Sequence, residues 1–174
     1  MIILFLILEL MFAPQRQEKK VMVITHHEVK VSGYTSLGRF NCDFTRVGEK
    51  DTLNLNVPGN HPSLEFEIPI SSFSCGNFLL NKDFRSTLKS SEYPCAQVEV
   101  KNLYEMKGGL FCHLTVNLVG KTLEFPEMEL ERGEDNISGK LVLNFDMLDL
   151  DPPNKFGGLI KVDDRLDLEF VLGI

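Results

Sequence analysis

The residues best suited to chemistry lie in patterns that do not build a catalytic centre. The four histidines are His26, His27, His61 and His113. His26 and His27 are neighbours on a predicted strand, where adjacent side chains point to opposite faces, so they are poorly placed to share one metal ion. His61 lies in a polar loop, and His113 falls on the polar side of its strand. We interpret all four as surface histidines and predict neither a metal site nor a cofactor.

The carboxylates do not form a catalytic pair either. Glu65 and Glu67, like Asp167 and Glu169, alternate with apolar residues and should face solvent. Acid–base catalysis by two carboxylates needs one of them in a buried or apolar setting, so that their pKa values separate. The sequence also has no nucleophile elbow and no glycine-rich phosphate loop. We therefore predict that the protein is not an enzyme; an enzyme would require buried polar residues that converge from distant parts of the chain.

Length and composition indicate one globular domain that does not bind nucleic acid. The chain has 174 residues, of which 43% are hydrophobic and 25% charged, with a formal net charge of -7. DNA- and RNA-binding proteins usually present a basic face to the phosphates, but no basic run here is longer than Lys19-Lys20. Thirteen Phe, three Tyr and no Trp place the aromatic residues in largely apolar rings, which suit a hydrophobic interior.

The first residues are typical of a secretory leader. Met1 to Phe12 are apolar almost throughout, with Glu9 as the exception. As a helix they would span about 18 Å, short of the roughly 30 Å of a bilayer's hydrocarbon core. We predict that residues 1–20 are a signal peptide and linker, that residues 21–174 form the domain, and that the protein is exported. A buried first helix is the alternative.

Four cysteines in an exported chain predict one or two disulfides. They are Cys42, Cys75, Cys95 and Cys112, and they can pair in three ways that the sequence does not distinguish. The pair Cys42 and Cys75 is our candidate bridge. No two cysteines form a C-x-x-C motif, which argues against a zinc or thioredoxin-like site. The alternative is that some are small buried apolar residues.

Apolar residues recur at every second position over most of the remaining chain, which is the pattern of half-buried strands in an antiparallel sheet. No helices alternate with the strands, so a parallel sheet is not expected. About eight such strands suit a closed antiparallel barrel without exposed edges, with a two-sheet β-sandwich as the alternative. The predicted strands contain residues 21–31, 39–45, 64–70, 96–104, 110–118, 121–130, 141–147 and 166–172.

One stretch has a helical pattern. Asn81–Lys89 places Phe84 and Leu88 four residues apart on one face, and Pro94 follows as a stop. The sequence therefore predicts one short helix in an all-β fold.

The inward side of the predicted barrel is apolar. A barrel of about eight strands is either filled by its own side chains or just wide enough for one small ligand, and alternation alone does not separate these alternatives. The strand residues that we predict to line the interior are Phe40, Phe44, Phe66, Ile68, Ile70, Leu114, Val116, Leu143, Phe145, Leu168 and Phe170.

Several segments resemble the YceI-like family of exported bacterial proteins. The most specific is 81–94, NKDFRSTLKSSEYP, which is similar to the family's N-x-D-F-x-x-x-L-x-x-x-x-Y-P helix and turn. Gly33–Phe40 resembles the family's opening strand, and Leu114–Thr122 resembles its L-T-V/L-x-G-x-T strand. The closing D-x-P and G-x-x-x-V-x-D segment is similar to residues 148–164, and the resemblance spans roughly residues 21–174.

The resemblance implies a lipocalin-like, eight-stranded antiparallel barrel that holds a polyisoprenoid or similar amphiphilic lipid in the periplasm. It also implies that Phe84 and Leu88 belong to the ligand-binding wall, because the matched helix packs near the barrel mouth. Cys95–Val100 departs from the family's apolar x-I-x-F, being smaller and more polar, which predicts a narrower or partly filled cavity.

We therefore expect non-enzymatic binding or transport of an isoprenoid or fatty chain in the periplasm or outside the cell. Transient membrane contact and a homodimer are further expectations, and nucleic acid is not an expected partner. The alternative is a ligand-free envelope stress or interaction protein that acts through its outer surface. Its contact surface would be the long connection from Val47 to Pro62.

Overall fold

The computed structural model describes residues 20–55, 62–155, 157 and 159–174. These residues form nine antiparallel strands, one α-helix and two short 3-10 helices. The elements are β1 (Lys20–Thr35), β2 (Gly38–Leu55), β3 (Pro62–Pro69), a 3-10 helix (Ile70–Ser72), α1 (Phe78–Thr87), β4 (Cys95–Met106), β5 (Gly109–Leu118), β6 (Lys121–Arg132), β7 (Asn136–Asn144), a 3-10 helix (Phe145–Leu148), β8 (Asn154–Lys155) and β9 (Ile160–Gly173).

Eight long strands curl into a nearly closed barrel, as the alternation predicts. Their order in the sheet is β2-β1-β9-β7-β6-β5-β4-β3, and the two-residue β8 pairs with β9 at one end. On β7 the pattern is plain, since Leu141 and Leu143 are buried inside while Val142 and Asn144 are exposed. The all-β antiparallel barrel is thus confirmed in preference to the sandwich.

The barrel is not closed by hydrogen bonds between its two edge strands, β2 and β3. No ladder pairs join these strands among the described residues. Instead, β2 is bonded to the segment that follows β3: the amides of Asp43 and Ser74 each donate to the other's carbonyl at 2.9 Å. Beside this pair, Cys42 and Cys75 form a disulfide. We call this region, where the two edges meet, the seam.

The pairing of β6 with β7 is the thinnest ladder of the barrel. In the described chain it consists of Glu131 opposite Ser138 and Arg132 opposite Ile137, all at one end of the two strands. Near the other end, an ion pair between Lys121 and Asp149 links the start of β6 to the segment after β7.

Helix α1 is anchored to the chain around the disulfide. The Asn77 side chain caps the helix by accepting a hydrogen bond from the Leu80 amide at 2.9 Å. The Asn81 side chain accepts from the Cys75 amide at 2.6 Å, and Arg85 donates to the Ser71 carbonyl at 2.6 Å. Because Asn77 is the cap, the helix begins three residues before the predicted start at Asn81.

Two predictions about the strands need correction. Val47 to Leu55 belong to β2 and pair with β1 as far as Lys20, so the predicted connection from Val47 is wrong over these residues. The predicted strand 141–147 ends at Asn144, where Phe145 begins a 3-10 helix. Residues 1–19, with the predicted signal peptide, and residues 56–61, with His61, lie outside the described residues.

The position of the disulfide at the seam leads to a prediction about the free energy of unfolding. The bridge joins cysteines 33 residues apart, and cross-linking a loop of this size removes chain entropy from the unfolded state. Replacing both cysteines, as Cys42→Ser and Cys75→Ser together, should lower the free energy of unfolding by roughly 3 kcal/mol. Urea denaturation measures the change.

The matched control is Cys95→Ser, which removes a thiol that forms no disulfide. A reductant should shift the unfolding midpoint of the wild type and of this control, but not of the double variant. An equal midpoint for oxidised and reduced wild-type protein would show that the seam does not depend on the bridge.

Candidate functional site

Among the described residues, the elements that cover the interior lie at one end of the barrel, which we call the mouth end. Helix α1 connects β3 to β4 there. The turn between β1 and β2, residues 145–155 and residues 159–160 lie at the same end. The opposite end, which we call the far end, contains the β4–β5 turn and the ends of β6 and β9. The space between these two ends is the candidate site.

An inner cavity of about 80 Å³ lies in the middle of the barrel. Every side chain that lines it is apolar, because successive strands turn the same parity of their alternating pattern inward. The lining residues are Val29, Val31, Phe66, Ile68, Ile70, Phe73, Phe84, Leu88, Ala96, Val98, Val100, Leu114, Val116, Leu118, Leu123, Phe125, Leu141, Leu143, Leu168, Phe170 and Leu172.

A second, outer cavity of about 110 Å³ lies beneath the mouth end. It shares Val31, Phe84 and Leu88 with the inner cavity, so a side chain of α1 and that of its C-cap residue, Leu88, stand between the two spaces. Its remaining lining residues are Thr35, Phe40, Cys42, Leu80, Asp83, Thr87, Phe145, Pro153, Ile160, Val162 and Leu166. The polar members of this wall come from α1 and the end of β1.

Nearly all the residues that the sequence predicts for the wall lie at these cavities. Phe40 and Phe145 line the outer cavity, and Phe84 and Leu88 line both. Phe44 lines neither cavity; it is buried against Phe73, with their ring centroids 5.7 Å apart. The predicted residues that line the inner cavity are Phe66, Ile68, Ile70, Phe84, Leu88, Leu114, Val116, Leu143, Leu168 and Phe170.

Sequence reasoning missed wall residues in the strands with a weaker pattern. Val29 and Val31 on β1 line the inner cavity, as do Leu123 and Phe125 on β6. Their spacing by two was the signal that could have revealed them. Phe73 lies outside any regular strand, so no periodicity marks it.

Two glycines make room for the largest rings of the wall. Gly139 on β7 lies opposite Phe170, and a Cβ atom there would be 2.5 Å from the Phe170 ring. Gly33 on β1 lies opposite Phe40, and its Cβ would be 2.7 Å from that ring. Any larger residue would force these rings to move, so glycine at these positions sets how the rings sit at the cavities.

His27 is the residue for which the surface interpretation is wrong, since its side chain is 1% exposed. A β-bulge between Ile24 and His26 shifts the register of β1, and both Ile24 and His27 are fully buried. His27 shares the parity of the inward-facing Val29, which is the feature that could have placed it inside. Its ring packs on Phe66 with centroids 4.7 Å apart, so Phe66 stands between His27 and the inner cavity.

A charged cluster holds His27 against the seam. Its Nε2 lies 3.2 Å from Asp51 Oδ2 without hydrogen-bond geometry, and its Nδ1 lies 3.5 Å from Arg46 Nη2. Arg46 also donates to Asp51 at 3.2 Å, and its guanidinium lies 5.9 Å from the centroid of the Phe66 ring. Burial lowers the pKa of His27 below its ordinary value, and the positive charge of Arg46 lowers this pKa further. The ring is therefore neutral at pH 7 and joins β1, β2 and β3 at this level of the seam.

Burial also determines the protonation state of Cys112. Burial raises the pKa of the Cys112 thiol to about 12, so this cysteine stays protonated and unreactive. Among the described residues, no group of three or more His, Cys, Asp or Glu side chains could hold a metal ion. In the same part of the chain, no helix is long and apolar enough to cross a membrane.

Comparison with solved structures finds barrels of the same shape. BcnA of Burkholderia cenocepacia is similar with a TM-score of 0.60 and 13% sequence identity, over 84% of this chain and 94% of that one. A polyisoprenoid-binding domain from Saccharophagus degradans is similar with a TM-score of 0.55 and 16% identity, over 88% of this chain and 97% of that one. This chain has their fold. No protein-family model and no curated protein sequence matches the chain.

The burial of His27 predicts that the folded protein loses stability at acid pH. Because the folded state keeps the pKa of His27 below 6.5, the unfolded chain binds more protons below that pH. The contribution of neutral His27 is complete above pH 6.5 and is lost as the pH falls from 6.5 towards the folded-state pKa. His27→Phe keeps a ring against Phe66 and removes the titration, so its free energy of unfolding should depend less on pH in this range.

Urea denaturation at a series of pH values measures this slope. The control is His26→Phe, which makes the same substitution at the adjacent, less buried histidine and leaves the contact between His27 and Phe66 in place. If His27→Phe shows the full wild-type slope, the acid sensitivity originates elsewhere.

Proposed function

We propose that the chain is a YceI-like barrel of the cell envelope that binds an isoprenoid-like or fatty chain in its interior and transports it without catalysis. The inner cavity carries this proposal, because apolar side chains alone line it and it adjoins a second cavity beneath the mouth end. Support comes from the barrel fold shared with a protein described as a polyisoprenoid-binding domain.

The wall determines what kind of molecule would bind. Removal of apolar surface from water stabilises a bound chain by about 25 cal/mol per Å², or about 0.8 kcal/mol for each buried methylene. This attraction has no direction, so the width and length of the interior would select the ligand. A polar headgroup would find Thr35, Asp83 and Thr87 at the outer cavity.

The volumes require the interior to adjust around a ligand. The cavities of about 80 and 110 Å³ are smaller than the roughly 150 Å³ that accepts a benzene-sized molecule. A chain that reaches from one cavity into the other must displace Phe84 and Leu88. Helix α1 would therefore move when a chain binds.

Support for the location comes from two features. The apolar leader predicts export, and the disulfide between Cys42 and Cys75 is of the kind that persists in oxidising compartments. Both agree with the periplasm or the outside of the cell. The two internal voids favour the carrier over the ligand-free alternative, which predicts an interior filled by side chains.

The experiment titrates the wild type and a cavity-filling variant, each with a fluorescent fatty acid. Ala96 on β4 lines the inner cavity, and Ala96→Leu adds three carbon atoms to a space of about 80 Å³. We expect this variant to weaken binding of the probe by about tenfold, which corresponds to roughly 1.4 kcal/mol. Unlabelled farnesol or palmitate should displace the probe from the wild type.

The matched control is Gln97→Leu, which adds apolar surface to the next residue, on the exposed outer face of β4. Circular dichroism and the urea midpoint verify that both variants fold. Equal probe affinity for the two variants would place binding outside the inner cavity, and no saturable binding to the wild type would contradict the proposal.

A further inference from the structure

The mouth end exposes large apolar side chains to solvent. Phe78 at the start of α1 is 81% exposed and the adjacent Leu79 is 59% exposed. Leu37, in the turn between β1 and β2, is 76% exposed, and Leu159, just before β9, is 78% exposed. None of these side chains lines either cavity, so the stability of the interior does not account for them.

These four residues lie close along the chain to residues that line the outer cavity. Thr35, Leu80 and Ile160 line that cavity, and each lies within two residues of one of the four along the chain. The turn that carries Leu37 is bonded to the segment of Leu159, because the Ser36 hydroxyl donates to the Leu159 carbonyl at 3.0 Å. The Ser36 amide also donates to the Lys161 carbonyl at 3.0 Å. We call Leu37, Phe78, Leu79 and Leu159 the mouth rim.

Exposed cations accompany the mouth rim. Arg39 lies two residues after Leu37, Lys82 three residues after Leu79, and Lys161 two residues after Leu159. All three are exposed, and none of them forms an ion pair with another described residue. Exposed carboxylates, among them Asp151, Asp163 and Asp164, lie on the same segments. Contact with an anionic, lipid-rich surface would therefore depend on these three cations beside the exposed apolar residues, and not on the net charge of this end.

We propose that the mouth rim docks on the surface of an anionic phospholipid bilayer. The four apolar side chains enter the boundary between headgroups and acyl chains, and Arg39, Lys82 and Lys161 contact lipid phosphates. This orientation turns the outer cavity towards the membrane, so a hydrophobic chain passes between bilayer and barrel without crossing water. The docking itself does not require the interior to be occupied.

The absence of Trp from the chain allows a local test. The variant Phe78→Trp places a single reporter on the mouth rim, and Val47→Trp places one on β2, towards the far end, at a site that is 74% exposed. Vesicles of phosphatidylcholine with phosphatidylglycerol should shift the emission of the first reporter to shorter wavelength and allow brominated lipids to quench it. The emission of the second should stay that of a Trp in water.

The location of the reporter separates the mouth rim from other membrane contacts. If the chain binds vesicles through the apolar residues before β1, or through any other surface, the Phe78→Trp emission stays unshifted and the proposal is overturned. A shift that develops with protein concentration in the absence of vesicles would show a second copy on the mouth rim, which also overturns it.

The Phe78→Trp reporter also tests whether the three cations contribute to vesicle binding. Reversal of Arg39, Lys82 and Lys161 to Glu should weaken vesicle binding by about a hundredfold or more, because three attractions to anionic lipid are lost and three repulsions are introduced. Equal binding of this variant, or equal binding to pure phosphatidylcholine, would overturn the role of anionic lipid. Probe binding to the interior, measured in the same samples, reports separately on the proposed cavity function.

Discussion

The seam between β2 and β3 is where the barrel must be held together, because these two edge strands share no ladder hydrogen bonds in the described chain. Two side-chain devices replace the missing ladder. Towards the mouth end, the disulfide of Cys42 with Cys75 lies beside the mutual hydrogen bonds of Asp43 and Ser74. Towards the far end, the ring of His27 packs on Phe66. Both devices hold the two edges together beside the apolar interior.

The closed barrel has a largely apolar wall, and its side chains do not completely fill the interior. Phe84 and Leu88 separate the two cavities. Phe84 lies on α1 and Leu88 is its C-cap residue, and the position of this helix depends on the hydrogen bond between the Asn81 side chain and the Cys75 amide. The seam and the helix are therefore mechanically connected. A ligand that displaces these two side chains acts on the helix, whereas the strands on the opposite side of the barrel keep their ladders.

The alternation of apolar residues predicts the fold, and nearly all the strand residues that it places inside lie at the two cavities, because both follow from the period of two. It did not reveal Phe73, which lies outside any strand, or the place of Phe44 behind that ring. The sequence interpretation places His27 at the surface because its side chain is polar, whereas its parity is that of the buried Val29. The gap in the sheet and the size of the cavities depend on how strands and side chains meet in three dimensions, which no local pattern contains.

The central claim is that the barrel interior holds a hydrophobic chain. The most direct measurement is to purify the protein from a bacterial envelope, extract it with organic solvent and analyse the extract by mass spectrometry. We predict an isoprenoid-like or fatty molecule at close to one per barrel, and its loss when Ala96→Leu fills the inner cavity. An extract without a stoichiometric apolar molecule, from protein that also fails to retain an added one, would contradict the account.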